Sequence, residues 1–217
     1  MKKVLYITAN PNAEELSYSL KLGKEFLKAY REVNPADEII HLDLYQADIP
    51  LIDGDVLSAW RKSAQYSMEE TSAGDKQGDG LTVIEKEKIE RINQLTDQFI
   101  SMDRYIFVSP MWNFSIPPKL KAYIDTICIA RKTFAFTENG AVGLLQGRKA
   151  VHIQAGGGSF SGGPMDFSSK YLQSILGFLG LEVTSIIAEG MAMTPEKAQD
   201  IFEEAVVRSK EAVKQLA

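Results

Sequence analysis

Three short stretches of this chain carry residue types that together suit the capture of a flat, partly polar aromatic molecule ending in an anion. The first is Ser17-Tyr18-Ser19, with Asn10 just upstream, where the chain enters a helical pattern. Two hydroxyls at a helix start join free backbone N–H groups and the positive end of the helix dipole, which together suit a phosphate. Glu14 and Glu15 precede them and must point away from a bound anion. No Lys or Arg stands in this loop, so the donors are neutral. Taken alone, Ser17 is first of all an ordinary N-cap, which needs no ligand.

The second stretch is Ser109-Pro110-Met111-Trp112-Asn113-Phe114-Ser115-Ile116-Pro117-Pro118. Its thioether, indole and phenyl groups offer flat apolar surface, and Asn113 adds one amide. A flavin ring fits that surface, and so does a plain cap on the core. The third stretch runs from Ala155 through Gly156, Gly157 and Gly158 to Phe160 and Pro164. Glycines let a backbone pass close to a ligand and aim N–H groups at it. Such donors suit the pyrimidine edge of a flavin, where negative charge collects on reduction. The same composition also suits a mobile surface loop.

The elements that must position these stretches read as an alternation of strands and helices. Lys3–Ala9 is an apolar, β-rich run, as expected for a parallel strand covered on both faces. A helical pattern follows from Ser17 to the stop at Asn34-Pro35, then a strand at Glu38–Asp43 and a helix around Val56 to Met68. The polar, glycine-containing tract near 69–80 is expected to be a flexible surface insertion. Thr82-Val83-Ile84-Glu85 reads as a capping box opening a long helix with Ile92, Leu95 and Phe99 on one face. Strands are predicted at Tyr105–Val108, Ala150–Gln154 and Glu182–Ala188. Helices are predicted from Pro118, over Asp166–Leu179 with a left-handed cap at Gly180, and from Thr194-Pro195-Glu196 onward.

Five strands alternating with helices predict an α/β fold, a doubly wound parallel sheet with helices on both faces. No G-x-G-x-x-G follows the first strand, so the flavodoxin-like order 2-1-3-4-5 is chosen over a Rossmann half. In that topology the loops after strands one, three and four are neighbours. Phosphate cradle, aromatic shelf and glycine edge therefore converge.

With 217 residues the chain is expected to form a single domain. A net charge of -5, with basic residues scattered, offers no footprint for nucleic acid or an anionic membrane. No signal-peptide pattern or membrane-length apolar run is read in it, so the expected location is cytoplasmic. Cys128, the only cysteine, is read as core filler. His41 and His152 lie in strand-like runs and are read as satisfied histidines rather than metal ligands or bases. No Cys/His cluster suggests zinc, and no G-x-S-x-G elbow suggests a serine hydrolase.

Met111-Trp112-Asn113-Phe114 with Ile116-Pro117, then Lys119–Asp125, Thr133–Gly140, Gly143-Leu144, Gly163-Pro164, Leu176–Gly180 and Glu189-Gly190, resemble the FMN-dependent NADH-azoreductase family of flavodoxin-like NAD(P)H:quinone reductases. The resemblance spans essentially the whole chain. It implies a homodimer with one noncovalent FMN per subunit near the dimer interface, and NADH or NADPH as electron donor. Quinones and azo compounds are the implied acceptors, reduced in a two-electron ping-pong cycle with hydride passing through flavin N5. Ser17 and Ser19 match the phosphate contacts, Met111 to Phe114 the ring-lining loop, and Gly156 to Gly158 the polar-edge loop. Asn10, Tyr18, Pro110 and Ala155 join them as cofactor-binding candidates. Arg61 matches a family arginine near the substrate mouth, and Phe134, Phe136 and Phe160 join it as substrate-pocket candidates. The chain has Ala155 and Gly156 where some members have serine and arginine, and Phe136 where some have tyrosine. Those departures remove polar groups near the flavin. A flavodoxin-like electron carrier and a non-catalytic flavin-binding regulatory protein are the alternative classes; quinone-dependent NADH oxidation without a partner protein separates the enzyme from both.

Overall fold

The computed structural model describes residues 1–69 and 80–216, so most of the insertion expected near 69–80 lies outside the described residues. The chain runs β1 (Lys3–Thr8), α1 (Tyr18–Val33), β2 (Glu38–Asp43), α2 (Gly54–Glu69), α3 (Val83–Ile100) and β3 (Arg104–Pro110). It continues through α4 (Pro118–Ile127), β4 (Phe134–Thr137), β5 (Gly140–Gly143), β6 (Lys149–Gly156), α5 (Phe167–Phe178), β7 (Glu182–Glu189) and α6 (Ala198–Leu216). Five strands pair in parallel in the order β2-β1-β3-β6-β7. With the β4–β5 hairpin set aside, that is the order expected from the sequence.

Because successive side chains of a strand point to opposite faces, each central strand feeds two cores. Along β1, Val4 and Tyr6 join Leu22 and Phe26 of α1 and Ala205 and Val213 of α6. Leu5 and Ile7 join Phe99 of α3, Leu120 and Tyr123 of α4, and Leu172 and Leu176 of α5. The strands therefore read as unbroken apolar runs instead of alternating ones. Cys128, partly buried, packs against the second of these cores, and burial pushes its thiol up to about 11, as suits a core residue.

Local signals set the element ends. Thr82 accepts the Glu85 N–H, and the Glu85 carboxylate takes the Thr82 N–H at 2.7 Å, completing the capping box. Lys62 of α2 joins that carboxylate at 2.8 Å and so ties α2 to the start of α3. The Lys62 hydrogen bond, then the Thr82 N–H, pulls the Glu85 carboxyl down to about 2. Asp166 caps α5 by accepting the Ser169 N–H, and Gly180 takes φ 100° at its end.

The structure departs from the sequence reading in four places, the first being β6, which runs on through Ala155 and Gly156, so that the glycine loop starts only at Gly157. The β4–β5 hairpin was not expected; its four-residue strands are too short for a periodicity signal, although Asn139-Gly140 is hairpin chemistry. Pro195–Lys197 forms a separate 3-10 turn, and α6 begins at Ala198 instead of at Pro195. β3 continues through Ser109 and Pro110, so the loop opened by the aromatic stretch starts only at Met111. Ladder pairing of Ser109 with Gln154 and of Pro110 with Ala155 carries it that far.

Candidate functional site

The loops after β1, β3, β6 and β7 leave the sheet at its carboxyl edge and enclose a cavity of about 330 Å³. Asn10, Ser17, Tyr18, Ser19, Pro110, Met111, Trp112, Ala155, Gly156 and Gly157 line it, all candidates from the sequence. Asn12, Leu16, Met191 and Ala192 line it as well. No charged side chain is among them.

At the first loop, Ser17 is the N-cap of α1 and accepts the Leu20 N–H at 3.3 Å. The ordinary-cap reading therefore holds, but it does not exhaust the site. The Asn12 N–H donates to Asn10 Oδ1 at 3.0 Å, which turns the Asn10 amide nitrogen toward Ser17 Oγ at 2.8 Å. Ser17 Oγ, already accepting twice, sends its own proton to Ser19 Oγ at 3.0 Å. Ser19 then accepts from Ser17, and its own proton is free to donate. Tyr18 and Ser19 amides find no acceptor among the described residues, as first-turn amides do. Both serines are buried, at 5% and 1% exposure. Glu14 is drawn off to Lys24 at 2.7 Å, so its charge does not face this cradle.

The second loop is a tight reversal. Trp112 and Ser115 exchange both backbone hydrogen bonds at 3.0 Å, with Asn113 at φ 49° and Phe114 at φ 68° between them. Glycine or asparagine is usual at such positions; a phenylalanine there costs about 1–3 kcal/mol of strain and marks a geometry the surroundings enforce. Trp112 is braced edge-on by Tyr45, ring centroids 6.3 Å apart. Met111 donates its N–H to Ala155 at 2.9 Å, locking the aromatic loop to the glycine loop.

At the third loop, Gly157 and Gly158 amides also find no acceptor among the described residues. A Cβ on Gly157 would come within 3.0 Å of Ala192, and one on Gly158 would overlap the Phe160 ring. The protein's own packing thus leaves little room for a side chain at these two positions, beside any close approach of a ligand.

Below these loops His152 of β6 is fully buried, with Nε2 3.2 Å from Ser109 Oγ of β3, a tie between the two strands that deliver the aromatic and glycine loops. Its Nδ1 has no partner among the described residues, so the expectation of a satisfied histidine holds for one ring nitrogen only. Burial, slightly opposed by Asp166, lowers its pKa to about 4. The unfolded chain takes up this proton below about 6.5 while the folded chain resists it until about 4. Stability is therefore full above 6.5 and lost on acidification across that window, by about 3 kcal/mol in total. Urea midpoints of the protein and of His152→Leu at pH 7 and pH 4.5 test this. The variant is expected to lose less between the two pH values, and an identical loss in both would refute the assignment.

The remaining candidates stand apart from the cavity. Asn113, Phe114 and Gly158 flank lining residues, and Phe160 meets Phe114 edge-on at 5.1 Å. Arg61 is exposed on α2. Phe134 packs on Phe178 at 5.0 Å and on Phe136 at 5.5 Å. Phe178 ends α5, where the chain turns into the start of β7, so this hairpin sits at the opposite edge of the sheet.

A protein family with a flavodoxin-like fold matches residues 2–213 of the chain. The "FMN-dependent NADH:quinone oxidoreductase 2" of Bacillus subtilis (strain 168) is 47% identical over 219 residues, covering 99% of each chain. A protein of the same name from Bacillus thuringiensis subsp. konkukian (strain 97-27) is 47% identical over 218 residues, again covering 99% of both. The chain belongs to this flavodoxin-like family of FMN-dependent NADH:quinone oxidoreductases. Among solved structures, an FMN-dependent NADH-azoreductase from Bacillus anthracis str. Ames Ancestor, in complex with FMN, superposes with a TM-score of 0.88 at 36% identity over all of both chains. For a member of this family, the lining residues that sequence reasoning missed had one usable signal. Met191 and Ala192 stand in the loop just past β7, and the carboxyl edge of an open sheet is where ligands bind. Tyr45, which reaches the site only as a brace for Trp112, had none.

Proposed function

We propose that this protein is an FMN-dependent oxidoreductase that uses NADH or NADPH to reduce quinones and azo compounds. The observation that carries the reading is the convergence on one uncharged cavity of a neutral anion cradle, an aromatic shelf and a glycine loop whose Gly157 amide has no acceptor among the described residues. The residues present fit FMN. Tyr18 and Ser19 amides and the Ser19 hydroxyl would hold the phosphate, helped by the α1 dipole. Met111 and Trp112 would pack against the ring, and Gly157 and Gly158 amides would face its polar edge, where donors favour developing negative charge. A bound FMN supplies the two-electron hydride chemistry, through N5 in a ping-pong cycle, that joins nicotinamide oxidation to acceptor reduction. The chain's own part is binding, orientation and exclusion of water, since no lining side chain is an acid, a base of ordinary strength or a metal ligand.

The same proposal includes a single FMN-binding domain over 1–217, doubly wound as the two cores on β1 suggest, working as a cytoplasmic homodimer. The homodimer gives Arg61, Phe134 and Phe136 a route to the pocket, because within one chain they lie outside the cavity. The deciding experiment is direct. Purified protein is expected to be yellow, to bleach with NADH, and to oxidise NADH when a quinone is supplied and no partner protein is present. A colourless protein that takes up no added FMN would end the proposal; bleaching without quinone turnover would leave the electron-carrier class, and bound flavin that NADH does not bleach would leave the regulatory class.

A further inference from the structure

We infer that Glu189 is a positioning residue that sets acceptor selectivity by holding the Phe160 ring against Phe114; the selectivity part rests on the function proposed above. Glu189 ends β7. One oxygen of its carboxylate accepts two backbone N–H groups, from Phe160 at 2.7 Å and from Ser161 at 2.9 Å. No ion pair among the described residues balances this carboxylate, so the two amides are its counterpart. Charge-assisted bonds of this kind are roughly twice as strong as neutral ones.

The next turn of the loop is held separately. The Gly162 N–H donates to Asp166 Oδ2 at 2.9 Å, and the Gly163 N–H closes onto the Phe160 carbonyl at 3.0 Å. On the β7 side, Gly190 donates to Gly158 at 3.2 Å and Ala192 to Gly157 at 3.0 Å. These bonds tie down the backbone on either side of Phe160, and the ring lies directly over Gly158, where a Cβ would overlap it. From there the ring reaches Phe114 at 85° and 5.1 Å. Phe114 is itself held in its tight turn, at φ 68°, by the Trp112–Ser115 bridge. The result is an aromatic wall joining the glycine loop to the aromatic loop, next to the lining residues Met111, Trp112 and Gly157. None of the wall's atoms is charged, and it is anchored from behind by a carboxylate that does not line the cavity. A fixed wall admits small acceptors and penalises bulky ones; a loosened wall discriminates less.

The test uses the FMN-saturated protein, NADH, and two acceptors, 1,4-benzoquinone and anthraquinone-2-sulfonate. Glu189→Ala is expected to lower the ratio of kcat/KM for the small over the bulky quinone about fivefold or more. Glu189→Gln, whose amide oxygen still accepts two N–H groups, is expected to stay within about twofold of the parent. Phe160→Ala is expected to give the same fall, and adding Glu189→Ala to it no further fall, because both act through one ring. Amide hydrogen exchange over 158–162, measured without quinone or NADH, is expected to accelerate strongly in Glu189→Ala and far less in Glu189→Gln, which keeps both bonds in neutral form. An unchanged ratio in Glu189→Ala, or full additivity with Phe160→Ala, overturns the inference. Should Glu189→Ala not fold, an unchanged ratio in Phe160→Ala overturns it equally. A parent that binds no FMN or lacks quinone turnover defeats the functional proposal and the selectivity claim with it, while the exchange data still show whether the carboxylate anchors the loop.

Discussion

Ser17→Asp is expected to raise the dissociation constant for FMN by about three orders of magnitude while leaving the fold intact. Aspartate is as good an N-cap as serine, so the start of α1 keeps its cap and the helix its favourable dipole interaction. What changes is the charge of the cradle, which is neutral in the parent because Glu14 is tied to Lys24. Two unit charges about 4 Å apart near a protein surface repel by about 4 kcal/mol, and a phosphate carries more than one. Such a penalty is roughly a thousandfold in affinity. Fluorescence titration of FMN into the deflavinated protein, beside a thermal melt, checks both halves. Unchanged FMN affinity would show that the phosphate lies elsewhere, and collapse of the melt would show that the buried Asn10–Ser17–Ser19 network does not tolerate the carboxylate.

Gly143→Ala is expected to cost about 3 kcal/mol and to lower Tm by roughly 6–12 °C. Gly143 is the last residue of β5, and a Cβ there would overlap the carbonyl carbon of Leu179 and the nitrogen of Gly180. Both are backbone atoms at the end of α5, so no side chain can swing aside. Relief requires lifting the hairpin from α5, which strains the neighbouring bonds from Leu144 N–H to the Thr133 carbonyl at 2.9 Å and from Leu145 N–H to the Leu179 carbonyl at 3.0 Å. Gly177→Ala, in the same helix but facing open space, is the matched control. It is expected to stabilise by about 0.5–1 kcal/mol, the ordinary helix preference for alanine. Differential scanning calorimetry of the two variants decides the matter; similar melting temperatures would mean that the hairpin yields freely.

The parallel sheet and its order were legible from the chain because buried strands such as Tyr105–Val108 are unbroken apolar runs and each helix carries its own punctuation. The capping box at Thr82, the Asp166 cap and the Gly180 turn are local interactions, complete within a few residues, and local interactions are what a sequence states openly. The same holds for the cavity's principal lining. Ser17 to Ser19 open the helix after the first strand, Met111, Trp112 and Gly156 fall at strand ends, and topology alone brings these places together. The sequence resemblance carried the family assignment as well.

Other features were set by contacts between segments far apart in the chain, and these have no local signature. The close approach of Ala192 to Gly157 is one such feature. Ser109 and His152 meet only because β3 and β6 pair, and the missing partner of His152 Nδ1 is a property of the packed interior. Glu189 reads in the sequence as one more strand-end carboxylate; it becomes an anchor only when β7 delivers it beneath the amides of Phe160 and Ser161. Sequence periodicity decided which elements form, because burial repeats along the chain. Tertiary packing decided which atoms of those elements are left free to act, because hydrogen-bond capacity is used up by neighbours that the chain brings together only on folding.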